Sequence, residues 1–182
     1  MIPFPDKRYD IIYADPPWDY GNTRMPVRQK DVKYPSGVKD FYPTMKLQEI
    51  CDLPVSDICK KDCLLFLWIT GSLLENAFVV GKAWGFGFST IGFNWDKQIP
   101  NAGRYTLPQT ELCLLFRRKG GKIPQPRGAR NVKQFLSERR RAHSQKPDII
   151  RDRIVEMFPS QSRIELFARG RFEGWDFWGD EV

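Results

Sequence analysis

The sequence predicts an α/β fold, a sheet covered by helices on both faces. Two observations carry this: short β-prone apolar runs alternate with segments of helical period, and the apolar runs read as strands buried on both sides. At 182 residues, with 41% hydrophobic and 28% charged residues, the chain suits one globular domain, 1–182, and excludes a mainly disordered one.

Tyr9-Asp10-Ile11-Ile12-Tyr13-Ala14 reads as the first buried strand, stopped by Asp15-Pro16-Pro17. The polar, Gly- and Pro-containing stretch 19–41 lacks an apolar period and reads as a lid or binding loop. A helix is expected from Lys46 and a strand over Cys63–Ile69. A second helix follows from Ser72 to about Trp84, with Ser72 as N-cap and Glu75 as its capping-box partner. Strands are expected over Phe88–Trp95 and Glu111–Phe116, a helix over Pro147–Phe158 and a last strand over Arg163–Ala168. Gly85 and Gly87 mimic a cofactor loop but follow a helix and precede a strand, so they read as a helix end and turn.

No apolar run approaches the roughly 20 residues of a membrane span, and the N-terminus lacks the pattern of a signal peptide. The expectation is a soluble cytoplasmic protein. Cys51, Cys59, Cys63 and Cys113 form no CxxC pair and His143 is the only histidine, which argues for buried, reduced thiols and against a metal site. It also leaves any Ser-His-Asp or Cys-His chemistry dependent on His143 alone.

The net charge of +7 is concentrated. The segment 117–141 holds ten basic residues and one acidic one, a net of +9, and the rest of the chain sums to −2. Such clustering, ending in Arg139, Arg140 and Arg141, favours a polyanionic partner, most simply nucleic acid.

Asp15-Pro16-Pro17-Trp18 is the most informative stretch. A strand end followed by two prolines makes a stiff turn that presents the Asp15 carboxylate and the Pro16 carbonyl as fixed acceptors beside an aromatic ring. That set suits a planar base with an exocyclic amino group, and equally a plain Pro-Pro turn beside a core Trp.

Asp-Pro-Pro-Trp after an apolar strand resembles the catalytic tetrad of adenine-N6 methyltransferases of the MT-A-seventy branch. Further matches run in order along the chain: Tyr42-Pro43-Thr44-Met45, Leu65–Gly71, Trp95-Asp96-Lys97, Glu111–Leu115, Lys146-Pro147-Asp148, Glu165–Arg169, Gly174-Trp175-Asp176 and Trp178–Glu181. The resemblance implies a Rossmann-like S-adenosylmethionine-dependent methyltransferase fold in permuted order, with the catalytic strand first and a cofactor-side strand last. It implies catalytic roles for Asp15, Pro16, Pro17 and Trp18. It implies cofactor contacts from Lys146, Arg169, Asp180 and Glu181, with Asp180 standing where the family has Asn. Substrate contacts are expected from Tyr20, Tyr42, Lys97 and Arg139–Arg141. The implied substrate is DNA, with RNA as the alternative. A non-catalytic nucleic-acid-binding subunit is disfavoured because binding-only relatives lose the tetrad.

Overall fold

The computed structural model describes residues 2–21, 43–103, 105–141 and 145–179. Beyond Gly21 the lid stretch 19–41 lies outside the described residues, and so do Tyr42, His143, Asp180 and Glu181.

The elements are β1 (Tyr9–Ala14), α1 (Leu47–Cys51), β2 (Cys59–Ile69), α2 (Leu74–Ala83), β3 (Phe86–Asp96), β4 (Thr110–Arg118), β5 (Phe135–Ser137), α3 (Ile149–Met157), β6 (Arg163–Leu166) and β7 (Asp176–Trp178). Among the described residues they form one seven-stranded sheet in the order β5-β3-β4-β2-β1-β6-β7. The sheet is mixed: β1 runs parallel to both β2 and β6, whereas β4 is antiparallel to β2 and β3. β1 lies inside the sheet, and its period-2 alternation feeds two cores. Ile12 and Ala14 pack with Leu65, Leu67, Ile164 and Leu166 beneath α1 and α2. Ile11 and Tyr13 pack with Leu64, Phe66 and Trp68 beneath Ile150, Ile154 and Phe158 at α3.

Differences from the sequence expectations lie at element ends. Gly71–Leu73 is a short 3-10 turn, so α2 starts at Leu74 with Leu73 at its N-cap and no side-chain cap; Ser72 Oγ lies 3.4 Å from Thr70 Oγ1 instead. Gly85, at φ 84°, follows the C-cap Trp84, the left-handed position a glycine fills after a helix. β6 stops at Leu166 because Phe167 takes φ 60°, a costly conformation for an aromatic residue, which turns the chain before Arg169. β5 and β7 have three residues each, too few to show a period in sequence.

All four cysteine thiols are free, three of them buried. No described helix is long and apolar enough to cross a membrane, and among the described residues no His/Cys/Asp/Glu group could hold a metal ion.

Gly81 of α2 packs directly on β4: a Cβ there would stand 2.6 Å from the Phe116 ring, which is itself fully buried. We expect Gly81→Val to destabilise the protein by about 1–3 kcal/mol through overpacking. Urea denaturation checks this, and an unchanged midpoint would show that the ring can move aside.

Candidate active site

β1 delivers Asp15 to the carboxyl end of the sheet, where α/β proteins place ligands. Pro16 and Pro17 stiffen the exit, and the Trp18 N–H turns back to donate to the Pro16 carbonyl at 2.8 Å. Met45 N–H donates to the Pro17 carbonyl at 2.8 Å and Asp19 N–H to the Met45 carbonyl at 3.2 Å, so the turn is tied into a short parallel bridge between Trp18 and Met45. Trp18 is nearly buried and its indole N–H donates to the Trp68 carbonyl at 3.1 Å. Trp68 in turn donates to the Tyr13 hydroxyl at 2.7 Å. One lone pair of the Pro16 oxygen is thus used internally and a second is left for a ligand.

Four charged side chains converge beside this turn. Lys146, in the stretch leading into α3, donates to Asp15 Oδ2 at 2.8 Å and lies 3.3 Å from Glu111 Oε2, with its ammonium over the Trp68 ring. Glu111, near the start of β4, uses its other oxygen, Oε1, to accept from Lys97 Nζ at 3.0 Å. Burial pushes the Asp15 carboxyl above its ordinary range, against the pull of Lys146. Burial also works against Glu111, but Lys146 and Lys97 outweigh it and hold that carboxyl below its usual value. The Lys146 ammonium is disfavoured by burial yet held protonated well above its normal range by Asp15 and Glu111. The four side chains form an alternating acid–base row in the order Lys97, Glu111, Lys146, Asp15.

Pro16, Trp18, Tyr20, Trp68, Thr70 and Arg169 complete the cleft wall around Asp15, Glu111 and Lys146. Thr70 Oγ1 donates to the Tyr20 hydroxyl at 3.3 Å. The cleft is partly open, and its inner space of about 40 Å³ has room for a water or two. The donor set, two carboxylates with an ammonium and a guanidinium, fits the charged amino-acid end of a zwitterionic ligand.

Of the residues singled out from sequence, Asp15, Pro16, Trp18, Tyr20, Lys146 and Arg169 come together here, and Pro17 holds the turn. Lys97 joins the row through Glu111; it is 3% exposed and is not among the residues that line the cleft. The basic segment does not form one surface. Arg117 lies six residues down β4 from Glu111, about 20 Å at strand spacing, and Arg118 donates to the Ser56 carbonyl at the far end of the sheet. Arg127 stacks on Phe158 beyond the end of α3. The chain then climbs through β5, parallel to β3, so that only Arg139–Arg141 reach the active end. There the Arg140 N–H donates to the Lys97 carbonyl, and Arg141 pairs with Asp148 at 2.8 Å. The segment, contiguous in sequence, is a strap that runs the height of the sheet.

Two contributors were not singled out. Glu111 reads in sequence as the polar start of an apolar strand; the usable signal was a carboxylate opening Glu111-Leu112-Cys113-Leu114-Leu115, placed at the Asp15 end by antiparallel pairing. Phe167 carries no sequence signal for its positive φ.

The fold and site define an α/β protein with an acidic, proline-stiffened turn at the carboxyl end of an internal parallel strand. The chain belongs to the MT-A70 family, which it matches over residues 9–181. It is 48% identical to the type II methyltransferase M.MunI of a Mycoplasma species, over 98% of this chain and 79% of that protein. It is 27% identical to the N(6)-adenine-specific methyltransferase METTL4 of Mus musculus, over 97% of this chain and 38% of that protein. To the N6-methyladenosine RNA methyltransferase MTA1 of Pyricularia oryzae it is 29% identical, over 96% of this chain and 47% of the relative.

Proposed function

We propose that this chain transfers a methyl group from S-adenosylmethionine to the N6 amino group of adenine in DNA, as a single methyltransferase domain over 1–182 working in the cytoplasm. The observation that carries this reading is the pair of acceptors, Asp15 Oδ and Pro16 O, fixed at the end of β1 in a family whose relatives are named for adenine-N6 methylation. DNA is the preferred substrate because the type II methyltransferase likeness, at 48%, far exceeds the 29% to the RNA methyltransferase. The adjacent parallel strands β1 and β6, which deliver Asp15 and Arg169 to one cleft, support a permuted Rossmann-like order with the catalytic strand first and the cofactor-side strand last.

When bound, S-adenosylmethionine supplies an electrophilic sulfonium methyl group. Lys146 would reach its carboxylate, and Arg169, Asp180 and Glu181 are proposed for its ribose and adenine. The adenine amino lone pair is delocalised into the ring and attacks poorly. Asp15 and Pro16 accept the two N6 hydrogens, favour a tetrahedral nitrogen and stabilise the positive charge that develops on it. Lys146 holds Asp15 as that acceptor; as the N–C bond forms the methyl–sulfur bond would break to leave a neutral thioether, and the extra N6 proton would then pass by way of the Asp15 carboxylate to solvent. Trp18, held by its bond to Trp68, is the rigid wall for the base, with Tyr20 in the same cleft, and Tyr42 and the 19–41 lid are proposed from the sequence as further substrate contacts. A duplex adenine has to be flipped into this cleft, at a few kcal/mol.

Incubation with methyl-labelled S-adenosylmethionine and either DNA or RNA, followed by nucleoside chromatography, tests the reading. N6-methyldeoxyadenosine is expected. Label in RNA alone would move the substrate to RNA, and nucleic-acid binding without label in either would make the chain a binding subunit.

Arg139–Arg141 are proposed as the phosphate contacts at the active end of the 117–141 segment. Their joint replacement by Ala should flatten the log-log salt dependence of duplex binding by about 2 to 3 and leave cofactor affinity unchanged. A slope equal to that of the native protein would place the phosphate track elsewhere.

A further inference from the structure

Lys97 stands in a Trp-Asp-Lys stretch that resemblance assigns to substrate contact, yet it is buried and is not among the residues that line the cleft. Its backbone is pinned on both sides: the N–H donates to the Gln109 carbonyl at 3.0 Å and the carbonyl accepts from Arg140 N–H at 3.1 Å. The following residue, Gln98, has φ 58° and donates its N–H to Asp96 Oδ1, which turns the chain away and leaves Lys97 facing inward. The Lys97 side chain is 4% exposed, and it holds Glu111 Oε1 while Lys146 holds Glu111 Oε2.

We propose that Lys97 is a positioning residue for the methyl-transfer site, acting on Asp15 through Glu111 and Lys146. The row Lys97, Glu111, Lys146, Asp15 is a chain of alternating charges in which each inner member has two partners. Lys97 neutralises one end of Glu111, so that Glu111 does not claim Lys146 outright. Lys146 is then shared, and its 2.8 Å bond keeps Asp15 ionised and aimed. Without Lys97, the whole Glu111 charge falls on Lys146 and on Asp15 beyond it, and Asp15 takes up a proton more readily. The other titratable groups facing Asp15 are Arg169, which favours its ionised form, and Tyr20, Cys113 and Glu165, whose own ionisation it opposes. A variant at Lys97 leaves all of these in place. The inference rests on the adenine-N6 reading of the site only for its kinetic test.

Lys97→Met keeps the length of the side chain and removes its charge. The acid limb of kcat against pH should move up by about half to one unit, with KM for DNA within twofold and the salt dependence of DNA binding unchanged. Lys97→Arg should return the limb towards its original position. In Lys97→Met/Glu111→Gln the upward shift should vanish, because the Glu111 charge that transmits it is gone. Titration of the Asp15 carboxyl by carbon-13 NMR in the free protein should show the same upward shift in Lys97→Met. That measurement needs no turnover, so a protein that methylated nothing would sink the proposed reaction and leave the titration to decide the role of Lys97. Should Lys97→Met not fold, Lys97→Gln, whose amide can still donate to Glu111, should show a smaller shift of the same sign. An unmoved Asp15 titration, or a raised KM with a salt slope flattened by about one, would make Lys97 a phosphate contact and overturn the proposal.

Discussion

Asp15→Asn is expected to lower the rate of methyl transfer by at least about 10³-fold, equivalent to about 4 kcal/mol of transition-state stabilisation. The substitution is isosteric, so β1 and the prolyl turn after it keep their hydrogen bonds. It replaces a charged acceptor with an amide that presents either a neutral oxygen or an N–H donor to the N6 hydrogens. It also removes the negative charge that complements the positive nitrogen of the transition state. Lys146 retains Glu111 as a partner at 3.3 Å, so no ammonium is left buried without a counter-charge. Circular dichroism and cofactor calorimetry should therefore stay close to the native protein while single-turnover methylation collapses. Activity within tenfold of the native protein would remove Asp15 from the chemistry. Because burial holds the Asp15 carboxyl above its ordinary value of about 3.9, activity in the native protein should fall away on acidification before that pH is reached.

The parts of the fold that were legible in the sequence are those with a strong local period. Strand β1 and the core of β2 are apolar runs bounded by turn residues, and α3 shows Ile150 and Ile154 at helical spacing, both fully buried. Illegible were the properties set by pairing partners. That β4 runs antiparallel to its neighbours follows from its hairpin with β3 and from no residue within it, and β5 and β7 exist only as three-residue additions to edges already formed. The cap of α2 failed as a reading because Ser72 falls within a 3-10 turn, one residue before the N-cap.

The site divides in the same way. Asp15, Pro16, Pro17 and Trp18 are consecutive, and the stiffness of two prolines after a strand is a local property that sequence reveals. Lys97, Glu111 and Lys146 are far apart in sequence, and their meeting with Asp15 is a product of sheet order. By resemblance Lys97 is expected as a substrate contact, and nothing local in the sequence signals that its side chain is buried against Glu111. Clustering of basic residues along 117–141 is legible in sequence, but not its layout: neighbours in that segment are spread from one end of the sheet to the other.

Arg151→Met should cost about 3–5 kcal/mol of folding stability at neutral pH, the largest effect expected away from the cleft. Arg151 and Glu165 are both nearly buried, 8% and 5% exposed, and they meet in a two-pronged bond: Nε donates to Oε2 at 2.7 Å and Nη2 to Oε1 at 2.6 Å. The third guanidinium nitrogen, Nη1, donates to Asp148 at 2.9 Å, and the plane lies 3.7 Å from the centre of the Phe172 ring. This clamp joins α3 to β6 and fixes the turn that carries Lys146 two residues before Asp148. Methionine fills the space but leaves the Glu165 carboxylate buried without its counter-charge. Burial already raises that carboxyl above its ordinary range against the pull of Arg151, and the variant loses the pull. A carboxyl whose native pKa lies above its unfolded value takes up its proton first in the folded state. The stability deficit is therefore greatest above the native pKa and shrinks as pH falls through it. Urea denaturation at neutral and mildly acidic pH should show this narrowing. Arg151→Met/Glu165→Leu should recover most of the loss, since an apolar pair of similar volume carries no unpaired charge. A single-variant loss below about 1 kcal/mol, or a deficit that grows on acidification, would mean that Glu165 finds another partner and that the clamp does not hold the Lys146 turn.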